Sequence, residues 1–122
     1  MALAIARTLL PDAPKLASAG LQSYGGPASP QAVRVLAERG IDLSGHRARQ
    51  LTEAMMAEAE AVYTMTYTRQ AGITEAFPRH QAKVALIDPE GRAIPDPIGG
   101  DLDAYRRTAD ALESAIRRRF RV

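Results

Sequence analysis

Ala61-Val62-Tyr63-Thr64-Met65-Thr66, a helical stretch over residues 67–76 and Lys83-Val84-Ala85-Leu86-Ile87 form the segment whose reading decides the fold. The first run is β-branched and aromatic, the composition of a strand. The middle stretch ends before Pro78, which cannot continue a helix. The last run is apolar and again strand-like. Two strands separated by a helix pair in parallel, because the crossover returns the chain to the end where it started, and such crossovers are right-handed.

The same alternation extends outward. Residues 1–10 read as an Ala- and Leu-rich helix stopped by Pro11, with no capping residue ahead of it. Leu16-Ala17-Ser18-Ala19-Gly20-Leu21 is a short strand candidate, and Gly25-Gly26-Pro27 a turn. Ser29 caps a helix with Pro30 at its first position and Gly40 closing it, and Val33, Leu36 and Ala37 are its expected inward stripe. Residues 41–50 are a polar connection. Thr52 caps a further short helix, with Leu51 and Met56 spaced as a hydrophobic staple. Asp88-Pro89-Glu90-Gly91 is a turn. A last helix opens at Asp101, and Leu102, Tyr105, Ala109, Leu112, Ile116 and Phe120 recur at steps of three and four. Arg117, Arg118, Arg119 and Arg121 read as its solvated end, favourable to the helix dipole. The fold class is therefore α/β: three layers, helix on sheet on helix, around a short parallel sheet.

Composition bounds the function. A chain of 122 residues makes one domain, and 46% hydrophobic residues suit a globular one. The net charge of +2, with acids and bases interspersed, asks for no nucleic acid. Lysine occurs only at Lys15 and Lys83, the remaining cations being arginine. The chain has no cysteine, which removes disulfides, thiolate metal sites and thiol catalysis from these residues. No apolar run approaches the ~18 residues of a membrane span. No basic region precedes the apolar start, so a cytoplasmic location is expected.

Parallel sheets bind ligands beyond the carboxyl ends of their strands. Two loops leave such ends, one after Leu21 and one over residues 88–100. The second is long enough to suggest function. It carries Asp96 between Pro95 and Pro97, ahead of Ile98, Gly99 and Gly100. Pro97 keeps Asp96 out of helical geometry, and the glycines leave room for backbone to approach a ligand. Asp88-Pro89 reads as a turn only. His46 lies in the polar connection and His80 reads as surface; with no carboxylate at ligand spacing they make no metal site. Met55, Met56 and Met65 read as core filler. There is no glycine-rich nucleotide loop and no nucleophile elbow.

Ser18-Ala19-Gly20, then Gly40-Ile41-Asp42-Leu43-Ser44-Gly45-His46-Arg47-Ala48-Arg49-Gln50-Leu51-Thr52, then Val62-Tyr63-Thr64-Met65-Thr66, then Asp96-Pro97-Ile98-Gly99-Gly100 occur in an order that resembles the low-molecular-weight protein-tyrosine phosphatase family. That family includes bacterial arginine phosphatases and is related in fold to one class of arsenate reductases. The resemblance implies a cysteinyl-phosphate mechanism without metal or cofactor, acting on a phosphorylated protein or small phosphomonoester. It implies Asp96 as general acid and then base, Ser18 and His46 as supports of the phosphate loop, and Pro97, Ile98 and Gly99 as the substrate entrance. Ile98-Gly99 stands in place of the aromatic pair of tyrosine-specific members, and Thr66 in place of their acid. Both features resemble the bacterial branch with the arginine phosphatases.

In the family a Cys-x5-Arg-Ser loop follows the first, central strand. Here the chain begins Met1-Ala2-Leu3-Ala4-Ile5-Ala6-Arg7, resembling the family's first helix after that loop. The expectation is an N-terminally incomplete domain over residues 1–122, lacking the first strand and the nucleophile, inactive and poorly folded alone. Alternatives are a non-catalytic pseudophosphatase that binds a partner and, more weakly, an arsenate-reductase-like protein.

Overall fold

The computed structural model describes residues 1–12, 15–21, 26 and 28–122. The element order is α1 (Ala2–Leu9), α2 (Pro30–Ala37), α3 (Glu53–Glu58), β1 (Val62–Thr64), α4 (Tyr67–Ala76), a 3-10 turn (Pro78–Lys83), β2 (Val84–Leu86) and α5 (Leu102–Phe120). β1 and β2 pair in parallel, Val62 opposite Val84 and Thr64 opposite Leu86, with α4 as the crossover. The β–α–β reading of residues 61–87 is thus the observed topology.

The strands' period of two divides the core. Tyr63 and Ile87 turn toward the cluster built by α1, α2 and α5, where Ile5, Val35, Leu36, Leu112 and Ile116 are buried. Thr64, Val84 and Leu86 are buried too and, by alternation, face the other way, toward the side that α4 covers. Helices therefore flank the sheet on both faces, in the expected three layers.

Capping chemistry fixes the helix starts. The Ser29 hydroxyl accepts from Ala32 N–H at 3.3 Å, Thr52 from Met55 N–H at 3.2 Å, Thr66 from Arg69 N–H at 3.2 Å and Asp101 from Ala104 N–H at 2.8 Å. Gly40 ends the α2 region with φ +75°, the left-handed conformation glycine adopts at little cost.

Several expectations need correction. The segment 16–21 is not a strand: it bridges only at Gly20, whose N–H donates to Arg49 O (2.9 Å) and whose carbonyl accepts from Leu51 N–H (2.8 Å). A strand is defined by its ladder, and among the described residues none joins this segment to β1 and the sheet has two strands. Leu21 instead packs on α4, where a Cβ at Gly72 would meet its Cδ1 at 3.0 Å. The inward face of α2 is Ala32, Val35 and Leu36, with Ala37 exposed, because the helix presents a slightly rotated stripe to α5. Met56 is buried core, whereas Met55 and Met65 are half-buried. Gly25 and Pro27 of the proposed turn lie outside the described residues.

The end of α5 is not merely solvated. Arg118 donates to both carboxylate oxygens of the buried Asp88, at 3.0 and 3.2 Å. Arg119 donates to the carbonyls of Leu86 and Ile87 and lies 5.1 Å over the Tyr63 ring. Phe120 meets the same ring edge-on at 5.6 Å. Three consecutive residues thus fasten the last helical turn to the sheet. His80 is likewise not surface: its ring is largely covered and lies 2.7 Å from Glu53. No helix among the described residues is long and apolar enough to cross a membrane.

Candidate active site

The loop over residues 88–100 leaves β2 and is held at each stage. At its start the Asp88 carboxylate accepts from Glu90 N–H (2.8 Å), and Gly91 N–H donates to Asp88 O (3.0 Å). Asp88 is therefore more than a turn residue. It is 3% exposed, and its carboxyl is held below the usual carboxylate range, chiefly by the Arg118 hydrogen bond. Midway, buried Ile94 donates its N–H to Met65 O at 2.8 Å. Met65 directly follows β1, so this bond draws the loop across the carboxyl end of that strand and sets Asp96 there.

Asp96 is exposed. Its Oδ1 accepts from Ile98 N–H at 3.1 Å, an Asx turn that fixes the side chain against its own loop. Its second oxygen makes no hydrogen bond among the described residues and is free to meet a ligand. Gly100 N–H donates to Pro97 O at 2.7 Å, and Gly99 has φ +80°: a type II turn with glycine at its third position. Gly100 is needed for a different reason than ligand approach. A Cβ there would stand 2.8 Å from both Ala104 Cβ and Pro97 O. Ile98, at the crown of this turn, is 78% exposed. Asp101 then caps α5, which closes the loop.

Two other groups reach this place. The amino group of Met1, at the start of α1, is held below its ordinary value by burial, and the charge of Asp96 opposes that shift. His46 is half-buried, and its backbone N–H donates to Leu43 O at 3.0 Å. Burial lowers the affinity of its ring for a proton, and the Met1 amino group, Arg47, Arg7 and Arg49 lower it further. The charge of the Met1 amino group thus enters the electrostatics of both Asp96 and His46, which lie fifty positions apart in sequence. Helix starts present unpaired N–H groups and favour anions.

Ser18 is half-buried in the extended segment two residues before the Gly20 bridge, and its hydroxyl makes no hydrogen bond among the described residues. Thr66 is spent as the cap of α4. Composition does not reveal the cationic surroundings of His46. Only Arg47 and Arg49, one and three residues after His46, hint at them in the sequence. Among the described residues no group of acidic and imidazole side chains is arranged to hold a metal ion.

The fold is an α/β domain with a long loop, carrying Asp96, beyond the carboxyl end of a parallel sheet. A model described as low molecular weight phosphotyrosine protein phosphatase matches residues 1–121. The chain belongs to that family. A probable low molecular weight protein-tyrosine-phosphatase EpsP of Ralstonia nicotianae is 36% identical over 117 residues, covering 95% of this chain and 76% of the relative. The protein-arginine-phosphatase of Bacillus subtilis is 36% identical over 105 residues, covering 82% of this chain and 69% of the relative. The YwlE arginine phosphatase structure from Geobacillus stearothermophilus superposes with a TM-score of 0.90 at 31% identity, covering 98% of this chain and 79% of that one. The resemblance to the bacterial branch with arginine phosphatases is therefore sustained by both sequence and structure.

Proposed function

We propose that residues 1–122 are the acid-bearing part of a phosphoprotein phosphatase working through a cysteinyl-phosphate, with Asp96 as its general acid and base. The observations that carry this reading are the Ile94–Met65 hydrogen bond (2.8 Å), which draws the Asp96 loop across the carboxyl end of β1, and the match of residues 1–121 to the phosphatase family. In the first step the bond from phosphorus to the leaving group breaks while a thiolate bonds to phosphorus. Asp96 gives its proton to the departing oxygen or nitrogen. In the second, the Asp96 carboxylate takes a proton from water as that oxygen attacks phosphorus and the thiolate leaves. No cofactor enters either step.

The 122 residues hold no cysteine, so they cannot supply the thiolate. In this reading the nucleophile belongs to a Cys-x5-Arg loop ahead of Met1, residues 1–122 being the remainder of the domain. His46 and Ser18 brace that loop. Pro97, Ile98 and Gly99 line the entrance. The exposed aliphatic Ile98, with Thr66 committed to its cap, suits a phosphoarginine side chain better than an aromatic-lined entrance would.

The experiment compares residues 1–122 alone with the same chain carrying a Cys-x5-Arg segment joined to Met1, on an aryl phosphate and on phosphotyrosine and phosphoarginine peptides. The first does not turn over; the second does. In the second, Asp96→Ala lowers kcat by roughly 10²–10⁴-fold. Hydrolysis by residues 1–122 alone refutes the cysteinyl route. A second reading, a pseudophosphatase that binds without hydrolysing, is favoured by the zero cysteine count. It gains if the extended chain binds phosphopeptide without turnover.

A further inference from the structure

Among the described residues the large apolar side chains left exposed are Tyr67 (61%), Ile98 (78%), Phe120 (37%) and Val122 (51%). Phe120 and Val122 close the last helix, where the Phe120 ring has Tyr63 as its partner. Tyr67 and Ile98 instead belong to the two segments that leave the carboxyl ends of β1 and β2. Tyr67 is the first residue of α4, whose start Thr66 already caps, so forming the helix does not call for an aromatic side chain there. The ring is nevertheless seated. A Cβ at Gly91 would stand 2.9 Å from Tyr67 Oη, so glycine keeps the room that the phenol occupies on the acid-bearing loop. Two residues before Tyr67, Met65 O accepts from Ile94 N–H at 2.8 Å. The junction of β1 and α4 thus meets the loop at Gly91 and again at Ile94, and Asp96 follows two residues later. Two residues of chain on each side, plus about 5 Å across the hydrogen-bonded pair, put the Tyr67 and Asp96 Cα atoms within roughly 20 Å of each other. An extended substrate strand covers that distance in about six residues.

We propose that Tyr67 is a specificity-determining contact of this site, its exposed ring taking a large apolar side chain of the protein substrate a few residues from the phosphorylated one. The inference rests on the phosphatase reading and adds which substrates are selected. A single exposed ring is ordinary on a protein surface. This one has a fixed seat beside the acid loop, and its hydroxyl makes no hydrogen bond among the described residues. A tyrosine held in this way loses little freedom on binding and offers a broad apolar face, which is why tyrosine is frequent at binding hot spots. The charges around its seat are offset: Glu90 and Arg92, which flank Gly91, pair with each other, and Arg118 pairs with Asp88 and Glu90. An uncharged side chain therefore suits this place better than an acidic or basic one. Ile98, at the crown of the same loop, supplies a second exposed apolar side chain beyond Asp96.

The test uses the chain extended with the Cys-x5-Arg segment, and phosphotyrosine and phosphoarginine peptides carrying phenylalanine or serine at each position up to about six residues from the phosphorylated one. At one position or more, phenylalanine raises kcat/KM over serine by roughly fivefold, chiefly through KM. Tyr67→Ala brings that ratio to unity, and Tyr67→Phe keeps it, because the ring and not the hydroxyl makes the contact. Arg69→Ala, an exposed neighbour on α4, keeps both the ratio and the activity. The ratio compares two peptides on one protein, so a general disturbance of the loop cancels from it. A parent with no such preference, or a preference that survives Tyr67→Ala, overturns the proposal. So does a monomer–dimer equilibrium in sedimentation that Tyr67→Ala abolishes, since it gives the ring to a second copy. If no peptide is turned over, the phosphatase reading fails, and the contact is still decided by calorimetry with phosphonate analogues of the same peptides. There, too, the phenylalanine peptide binds more tightly than its serine counterpart and Tyr67→Ala removes the difference; equal binding to the parent overturns the proposal.

Discussion

Gly99 and Gly100 are adjacent, yet the structure requires glycine at each for a different reason, and substitution separates the two. At Gly99 a Cβ meets nothing within 4 Å, but φ is +80°. Alanine there suffers the left-handed penalty of about 1–2 kcal/mol, less the roughly 0.4–1 kcal/mol gained from a stiffer unfolded chain. At Gly100 the Cβ falls 2.8 Å from Ala104 Cβ and 2.8 Å from Pro97 O. Overpacking of this kind costs on the order of 1–3 kcal/mol, because one of the two obstacles is backbone and cannot rotate away. Urea unfolding of the extended chain measures both. Gly99→Asn is expected to recover most of what Gly99→Ala loses, since asparagine tolerates the left-handed region. Gly100→Asn recovers nothing. Ala104→Gly removes one obstacle and should couple favourably to Gly100→Ala by roughly 1 kcal/mol, with no coupling to Gly99→Ala. Pro97 O accepts the turn's hydrogen bond and is adjacent to Asp96, so Gly100→Ala also displaces the acid. It should lower kcat more than Gly99→Asn does, as small misplacements of catalytic groups do. Absence of coupling between residues 100 and 104, or equal damage from Gly99→Asn and Gly99→Ala, refutes this account of the acid loop.

Two further outcomes follow from the ionisable groups. Asp88 has its carboxyl depressed by Arg118, so its contribution to stability is complete above its unfolded value near 3.9 and is lost as pH falls through the lower folded value. Acid titration of stability should show that limb in the parent chain and a flatter one in Asp88→Asn. His46 is depressed by burial and by its cationic neighbours, so the unfolded chain takes up the proton first. Its neutral form supports the fold fully above about pH 6.5, and stability declines as pH drops below that toward the folded value. Proton NMR of His46 should show its titration moving upward in Arg47→Gln and Arg49→Gln; an unmoved curve would remove both arginines from its surroundings.

The parts of the fold legible in the sequence were those set by local rules. Ser29, Thr52 and Asp101 are caps by side-chain chemistry, and each starts a helix. Residues 61–87 read as strand, helix, strand because composition and Pro78 mark their boundaries. The segment 16–21 was misread because alternation of small residues can suggest a strand, whereas only a neighbour can make one. Arg118 and Arg119 looked like a solvated helix end because nothing local tells a long cation whether a buried carboxylate or a row of carbonyls lies within its reach.

The candidate site divides the same way. The sequence by itself determined Asp96: two prolines and two glycines dictate a stiff, tightly turned loop whatever surrounds it. It also determined that these 122 residues hold no thiolate. Only the tertiary structure decided that the Asp96 loop crosses the carboxyl end of β1 and that Arg118 on α5 reaches the buried Asp88. Those meetings are contacts between residues remote in the chain. Backbone stiffness is a property of neighbours in sequence; a field of charge is a property of neighbours in space, which only folding brings together.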